Sequence, residues 1–147
     1  MSTLSTSRPA PAGSLIERTD CHTAYFATRW LKPDTAVITA HGDLDAANSQ
    51  QFVDYALRHA AQMKCLVLDL TGITFFGTAG FSALHTLNVR CAGETIQWAL
   101  VPDGAVSRLL KICDPDSTLP ICPSVESALA TVQGEPQRLL KLVAESR

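Results

Sequence analysis

The sequence has nothing that would build a metal site, a disulfide framework or a membrane span. Its five cysteines, Cys21, Cys65, Cys91, Cys113 and Cys122, are odd in number and contain no Cys-x-x-Cys pair. Neither a disulfide scaffold nor a zinc knuckle is therefore expected. Cys65, Cys91 and Cys113 fall at apolar positions of helix and strand patterns, where a free thiol serves as a small core hydrophobe. The four histidines, His22, His41, His59 and His85, share no i, i+4 spacing, so no metal is expected either. No stretch approaches the roughly 18 apolar residues of a membrane span, and the first 20 residues lack the apolar run of a signal peptide. The expectation is a chain that keeps away from membranes and stays where it is made, and free thiols make that the cytoplasm. A basic stripe is missing too: 12 Lys and Arg stand against 14 Asp and Glu, for a net charge of -2. Nothing there would engage a nucleic-acid backbone directly.

What is present is an alternation of strand and helix signals in one domain's worth of chain, 147 residues of which 46% are hydrophobic. Residues 1–20 are rich in Ser, Thr, Pro, Ala and Gly and read as a flexible leader. Residues 22–30 and 35–42 read as two strands joined by a turn at Lys32-Pro33-Asp34. Residues 48–63 switch to helical spacing, with Phe52, Val53, Ala56, Ala60 and Met63 on one side and Asn48 placed to cap together with Gln51. CLVLDL at 65–70 is apolar on both alternating faces up to Asp69, as in a central strand covered on two sides. Phe81, Leu84, Leu87 and Cys91 give a second helix, with Gly93 as its left-handed stop. TIQWALV makes another strand, Pro102-Asp103-Gly104 a turn, and Val106, Leu109, Leu110 and Cys113 the stripe of a third helix. LPIC at 119–122 suits only a short edge strand, and Ser124 starts a last helix carrying Val125, Leu129 and Val132. The tail, 134–147, extends that helix or docks separately. The expected fold is α/β, a mixed central sheet with helices mainly on one side.

Between strand and helix stands GITFFGTAGFSAL, with Thr78 flanked by Gly77 and Gly80. A phosphate loop of the Walker kind needs a lysine, and this segment has none. Gly77 and Gly80 give G-x-x-G rather than the G-x-G-x-x-G of a dinucleotide site, so no cofactor is expected. Catalysis by Thr78 would need a base and an orienting group; His41 and Asp69 are the candidates, but no spacing joins them to it. Two roles remain for the hydroxyl. It can cap the helix, or it can accept a phosphate that the helix N-terminus would welcome. Gly80 would then let a partner's backbone approach closely, and a bulky residue there would be expected to abolish binding in a folded protein.

HGDLDAANSQQF followed by VLDLTGITFFGTAGFSAL resembles the STAS domain of bacterial anti-sigma-factor antagonists, over residues 22 to 133. That family's pattern is Gly-Glu-Leu/Ile-Asp before the first helix, then Asp-Leu-Ser-x-Val-x-Phe-x-Asp-Ser-x-Gly-Leu at the second. The resemblance implies a small α/β domain, not an enzyme, that binds a kinase-type anti-sigma factor and so frees a sigma factor. The kinase phosphorylates the motif's serine and weakens the complex; a phosphatase restores it. Carried over, Thr78 takes the serine's place as phosphoacceptor, and Asp45, Gly80 and Phe81 join it as partner-binding residues. Asp45 has a second reading, as an acidic group favouring the dipole of the following helix. Thr78 in place of serine keeps the hydroxyl, whereas Gly77 in place of aspartate removes a carboxylate. The alternative is an unphosphorylated STAS scaffold or sensor that assembles with other STAS chains; a weak homodimer is a further expectation.

Overall fold

The computed structural model describes residues 15–21 and 23–134. Five strands, β1 (Leu15–Cys21), β2 (Ala24–Lys32), β3 (Thr35–Leu44), β4 (Cys65–Phe76) and β5 (Gln97–Val101), form one sheet in that spatial order. The first three run antiparallel, and β3, β4 and β5 run parallel. Leu15–Cys21 is thus a strand paired along β2 from Leu15 opposite Trp30 to Cys21 opposite Ala24. This corrects the assignment of residues 15–20 to a leader: pairing with β2 gives their backbone groups partners that composition alone does not reveal. Residues 1–14, and the tail beyond Gly134, lie outside the described residues.

Strand alternation sorts the core. Ile38 and Ala40 of β3, Leu66, Leu68 and Leu70 of β4, and Leu100 of β5 face one side. There α1 (Ser49–Leu57), α2 (Thr78–Gly93) and α3 (Gly104–Cys113) bring Phe52, Leu84, Leu87, Val106 and Leu110 onto them. The intervening Val37, Val67, Ala99 and Val101 face the other side and pack on Ala128 and Val132 of α4 (Val125–Val132). Three helices cover one face and one the other, so β4 is apolar in both directions as expected. Cys91 fills the main core, where burial pushes its thiol up to about 12. Cys122 is buried in the second cluster, and Cys65 and Cys113 are half-buried.

Several boundaries differ from the expectation. The helix read over 48–63 ends at Leu57, and a single 3-10 turn, Ala60–Gln62, leads to Met63. The N–H groups of Lys64 and Cys65 are held on the Asp34 carbonyl at 2.9 and 3.1 Å, so the chain must leave the helix to enter β4. Met63 still reaches the core. Asn48 stands at the N-cap without capping: its Oδ1 accepts from the Asp45 N–H at 3.1 Å and its Nδ2 donates to the Asp43 carbonyl at 2.8 Å. The left-handed residue after α2 is Thr95, at φ 56°, rather than Gly93; the Ile96 N–H closes the turn on the Cys91 carbonyl at 2.8 Å. Ile121 makes one parallel bridge to Leu100, which is all the short LPIC edge provides. Ser124 caps α4 reciprocally with Ser127.

The loop after α3 is organised by a buried carboxylate. Asp114 accepts from the Thr118 N–H at 2.9 Å, the Thr118 hydroxyl at 2.6 Å and the Leu119 N–H at 3.2 Å. The Thr118 bonds outweigh burial and hold this carboxyl below the usual carboxylate range.

Candidate functional site

Because β3 and β4 are parallel, their C-terminal ends finish together, with Leu44 opposite Phe76. The Gly77 N–H then donates to the Leu44 carbonyl at 3.0 Å. That bond places the turn after β3 against the start of α2, and ligand sites of α/β sheets gather at such strand ends. A second tie lies just before it: the Thr74 hydroxyl donates to Asp43 Oδ1 at 2.9 Å.

Asp45 shapes the turn. Its Oδ1 accepts from the Ala47 N–H at 2.9 Å, and its carbonyl accepts from the Ser49 N–H at 3.0 Å and the Ser49 hydroxyl at 2.6 Å. The residue is half-buried, so the carboxylate rigidifies the rim while part of it faces solvent.

Thr78 is exposed and is the first residue of α2; the N-cap is Gly77, in extended conformation at φ -91° and ψ 178°, with no side-chain cap. The capping role considered for Thr78 is therefore not the one it has. Its hydroxyl sits one position too far along to cap, and the first helical bonds, from the Gly80 and Phe81 N–H groups, go to the Gly77 carbonyl at 2.9 and 3.3 Å. The N–H groups of Thr78 and Ala79 lie ahead of those bonds at the positive end of the helix.

Gly80 does not serve close approach by another chain. It is buried, and a Cβ there would come within 2.5 Å of Phe76 Cε1, inside the core. Phe81 is half-buried and packs on the same core. The structure thus brings Asp45 and Thr78 to one surface and turns Gly80 and Phe81 inward, where they fix how α2 sits on β4.

Two further residues of the rim, Asp43 and Phe75, lie within the two motifs without a role being assigned to them by the resemblance. Phe75, beside a buried Phe76, is 53% exposed. Its parity gave a signal, since alternation within a strand cannot send two adjacent aromatics to the same side. Asp43 joins it through Thr74. No Lys or Arg occurs between Lys32 and Arg58, or between Lys64 and Arg90, so neither segment that builds this rim brings such a cation, and the first brings the carboxylates of Asp43 and Asp45.

A nucleophilic Thr78 finds no support. His41 stacks on Tyr25 with ring centroids 4.7 Å apart, and Gly72 leaves room for its imidazole. Gly72 lies four residues, about 13 Å of strand, before Phe76. The Asp69 carboxylate accepts from the Thr71 hydroxyl at 2.7 Å. Among the described residues no three His, Cys, Asp or Glu side chains gather to hold a metal, and no helix is long and apolar enough to cross a membrane.

A mixed sheet with this strand order, whose second helix starts at the joined ends of two parallel strands, is the fold of a STAS domain. The STAS family model matches residues 31–128, and the chain belongs to that family. It is 35% identical over 111 residues to osmosensory protein A of Mycobacterium tuberculosis, covering 73% of this chain and 70% of that protein. It is 32% identical over 126 residues to the anti-sigma-F factor antagonist RsfA of the same organism, covering 83% and 97%. Among solved structures, an anti-sigma factor antagonist from Mycobacterium paratuberculosis superposes with a TM-score of 0.62 at 22% identity, over 86% of this chain and 99% of that one.

Proposed function

We propose that the chain is an anti-sigma-factor antagonist: a binding protein, not an enzyme, that sequesters a kinase-type anti-sigma factor in the cytoplasm and so frees a sigma factor. The observation that carries the reading is Thr78, an exposed hydroxyl on the first turn of α2 beside the Asp45 rim. A partner that docks over this turn meets backbone N–H groups, a hydroxyl and carboxylates on a rigid scaffold. Phosphorylation of Thr78 would add about -1.5 to -2 charges to a surface already acidic. The helix N-terminus tolerates that charge, so the modification weakens docking without unfolding α2. A phosphatase would reverse it. Similarity to RsfA over nearly all of that protein supports the same reading.

The test is displacement. Added to a preformed complex of a kinase-type anti-sigma factor and its sigma factor, the chain should liberate sigma in proportion to the chain added, read by size-exclusion chromatography. A complex that stays intact at excess chain, with every such anti-sigma factor of the native organism tried, removes the antagonist reading and leaves the STAS scaffold alternative.

A further inference from the structure

We infer that Phe75 is the apolar anchor of the docking surface, received by the partner in an apolar pocket whose rim carries Lys or Arg. The inference rests on the antagonist reading for the partner's class and on the geometry for the rest. Among the described residues Phe75 is one of five large apolar side chains that stand exposed, with Leu31, Val89, Ile112 and Ile121, and it alone of these is within three residues of Thr78. A ring more than half in water has surface left to bury, and it carries only two rotatable bonds to be fixed on docking. Aromatic side chains with those properties dominate interface energetics.

Its position is already fixed. The Thr74–Asp43 bond ties the preceding residue to β3, and the Gly77 N–H to Leu44 carbonyl bond ties the segment two residues on. The ring itself lies along the N-cap, with Cε2 and Cζ at 3.4 and 3.7 Å from where a Cβ of Gly77 would stand. Those are ordinary contact distances, so a side chain at 77 is not excluded; with glycine there, the backbone beside the ring stays bare. The helix-start aspartate of the motif is absent, so no side chain at position 77 covers the ring. Thr78, Ser82, His85 and Val89 continue the surface as one exposed stripe at i, i+4, i+7 and i+11 along α2. Asp43, opposite Phe75 in the register near the end of β3, and Asp45, in the turn that follows, bring carboxylates to this strand end in a stretch without Lys or Arg, which sets the sign of charge the partner must present.

The probes are purified kinase-type anti-sigma factors, those of the native organism and the anti-sigma factor bound by RsfA, titrated with the full chain by calorimetry. Phe75→Ala should lower affinity about thirtyfold or more, the scale of a hot-spot residue, with the thermal midpoint unchanged. Phe75→Leu should recover part of it, and raising salt from 0.05 to 0.5 M (roughly a threefold shorter screening length) should weaken the wild-type complex. Ile112→Ala, on α3 and more exposed still, should change nothing. Wild-type affinity in a folded Phe75→Ala variant overturns the anchor and leaves the antagonist reading standing. Absence of binding by the wild-type chain to every probe overturns both.

Discussion

Gly80→Val is expected to cost about 2 to 3 kcal/mol, the range of an overpacked core, and to lower the thermal midpoint by roughly 10 °C. In an exposed helix, replacing glycine by a residue with a side chain usually gains stability through backbone entropy. Here the sign reverses, because a Cβ at Gly80 meets Phe76 Cε1 and Cδ1 at 2.5 and 2.8 Å. Phe76 is only 5% exposed and has nowhere to move. The same helix supplies the control: a Cβ at Gly93 meets nothing within 4 Å and its φ is not left-handed, so Gly93→Ala should be neutral or stabilise by up to about 1 kcal/mol. Combining Gly80→Ala with Phe76→Leu should restore part of the loss, and a double-mutant cycle measured by urea unfolding reads the coupling directly. Additive effects would show that the two residues do not share the space the structure gives them. Binding assays on Gly80 variants must be read against this loss of stability.

Thr78→Glu should weaken the complex with the anti-sigma factor about tenfold or more, while Thr78→Ala keeps wild-type affinity and loses regulation. The alanine comparison is clean because Gly77, not Thr78, is the N-cap, so removing the hydroxyl leaves the first helical bonds in place. Glutamate carries one charge where phosphate carries nearly two, so it sets a lower bound on the effect of modification. With the cognate kinase and ATP, intact-mass measurement should show one phosphate, mapped to Thr78, and the modified protein should retain its helical circular dichroism. A kinase that binds tightly and leaves Thr78 unmodified would contradict the switch. Gly77 would then be the natural cause, since the recognition carboxylate of the motif is missing, and the chain would act as a constitutive antagonist.

The parts of this fold that periodicity could reveal are those where one pattern ran unopposed. CLVLDL reads as a doubly covered strand because both of its faces are buried, and the stripe of Leu84, Leu87 and Cys91 reads as a helix because only one side is. Boundaries were less legible wherever a distant partner decided them. Residues 15–20 look like part of a leader until β2 pairs with them, and α1 stops short of its apolar pattern because the Asp34 carbonyl claims the chain that follows. Asn48 carries the sequence of a cap and spends its amide on Asp43 and Asp45 instead. At the rim, Thr78 stands out in the sequence as a hydroxyl where a strand hands over to a helix, whereas Asp45 is singled out only by the motif. Gly80 was found for the wrong reason, because a glycine needed for a neighbouring ring and one needed for a partner are indistinguishable in sequence. Phe75 was missed for the converse reason: an aromatic beside an aromatic suggests core, and only the packing shows which of the two was left outside.

The measurement that addresses the docking surface most directly is amide hydrogen exchange of the chain, free and bound to its anti-sigma factor. Binding should slow exchange from Asp43 to Ser49 and from Thr74 through the first two turns of α2, with Thr78 and Ala79 most affected because their N–H groups precede the first helical bonds. Protection confined to α4 and the Ile121 edge, with the Thr78 turn exchanging as in the free protein, would contradict it.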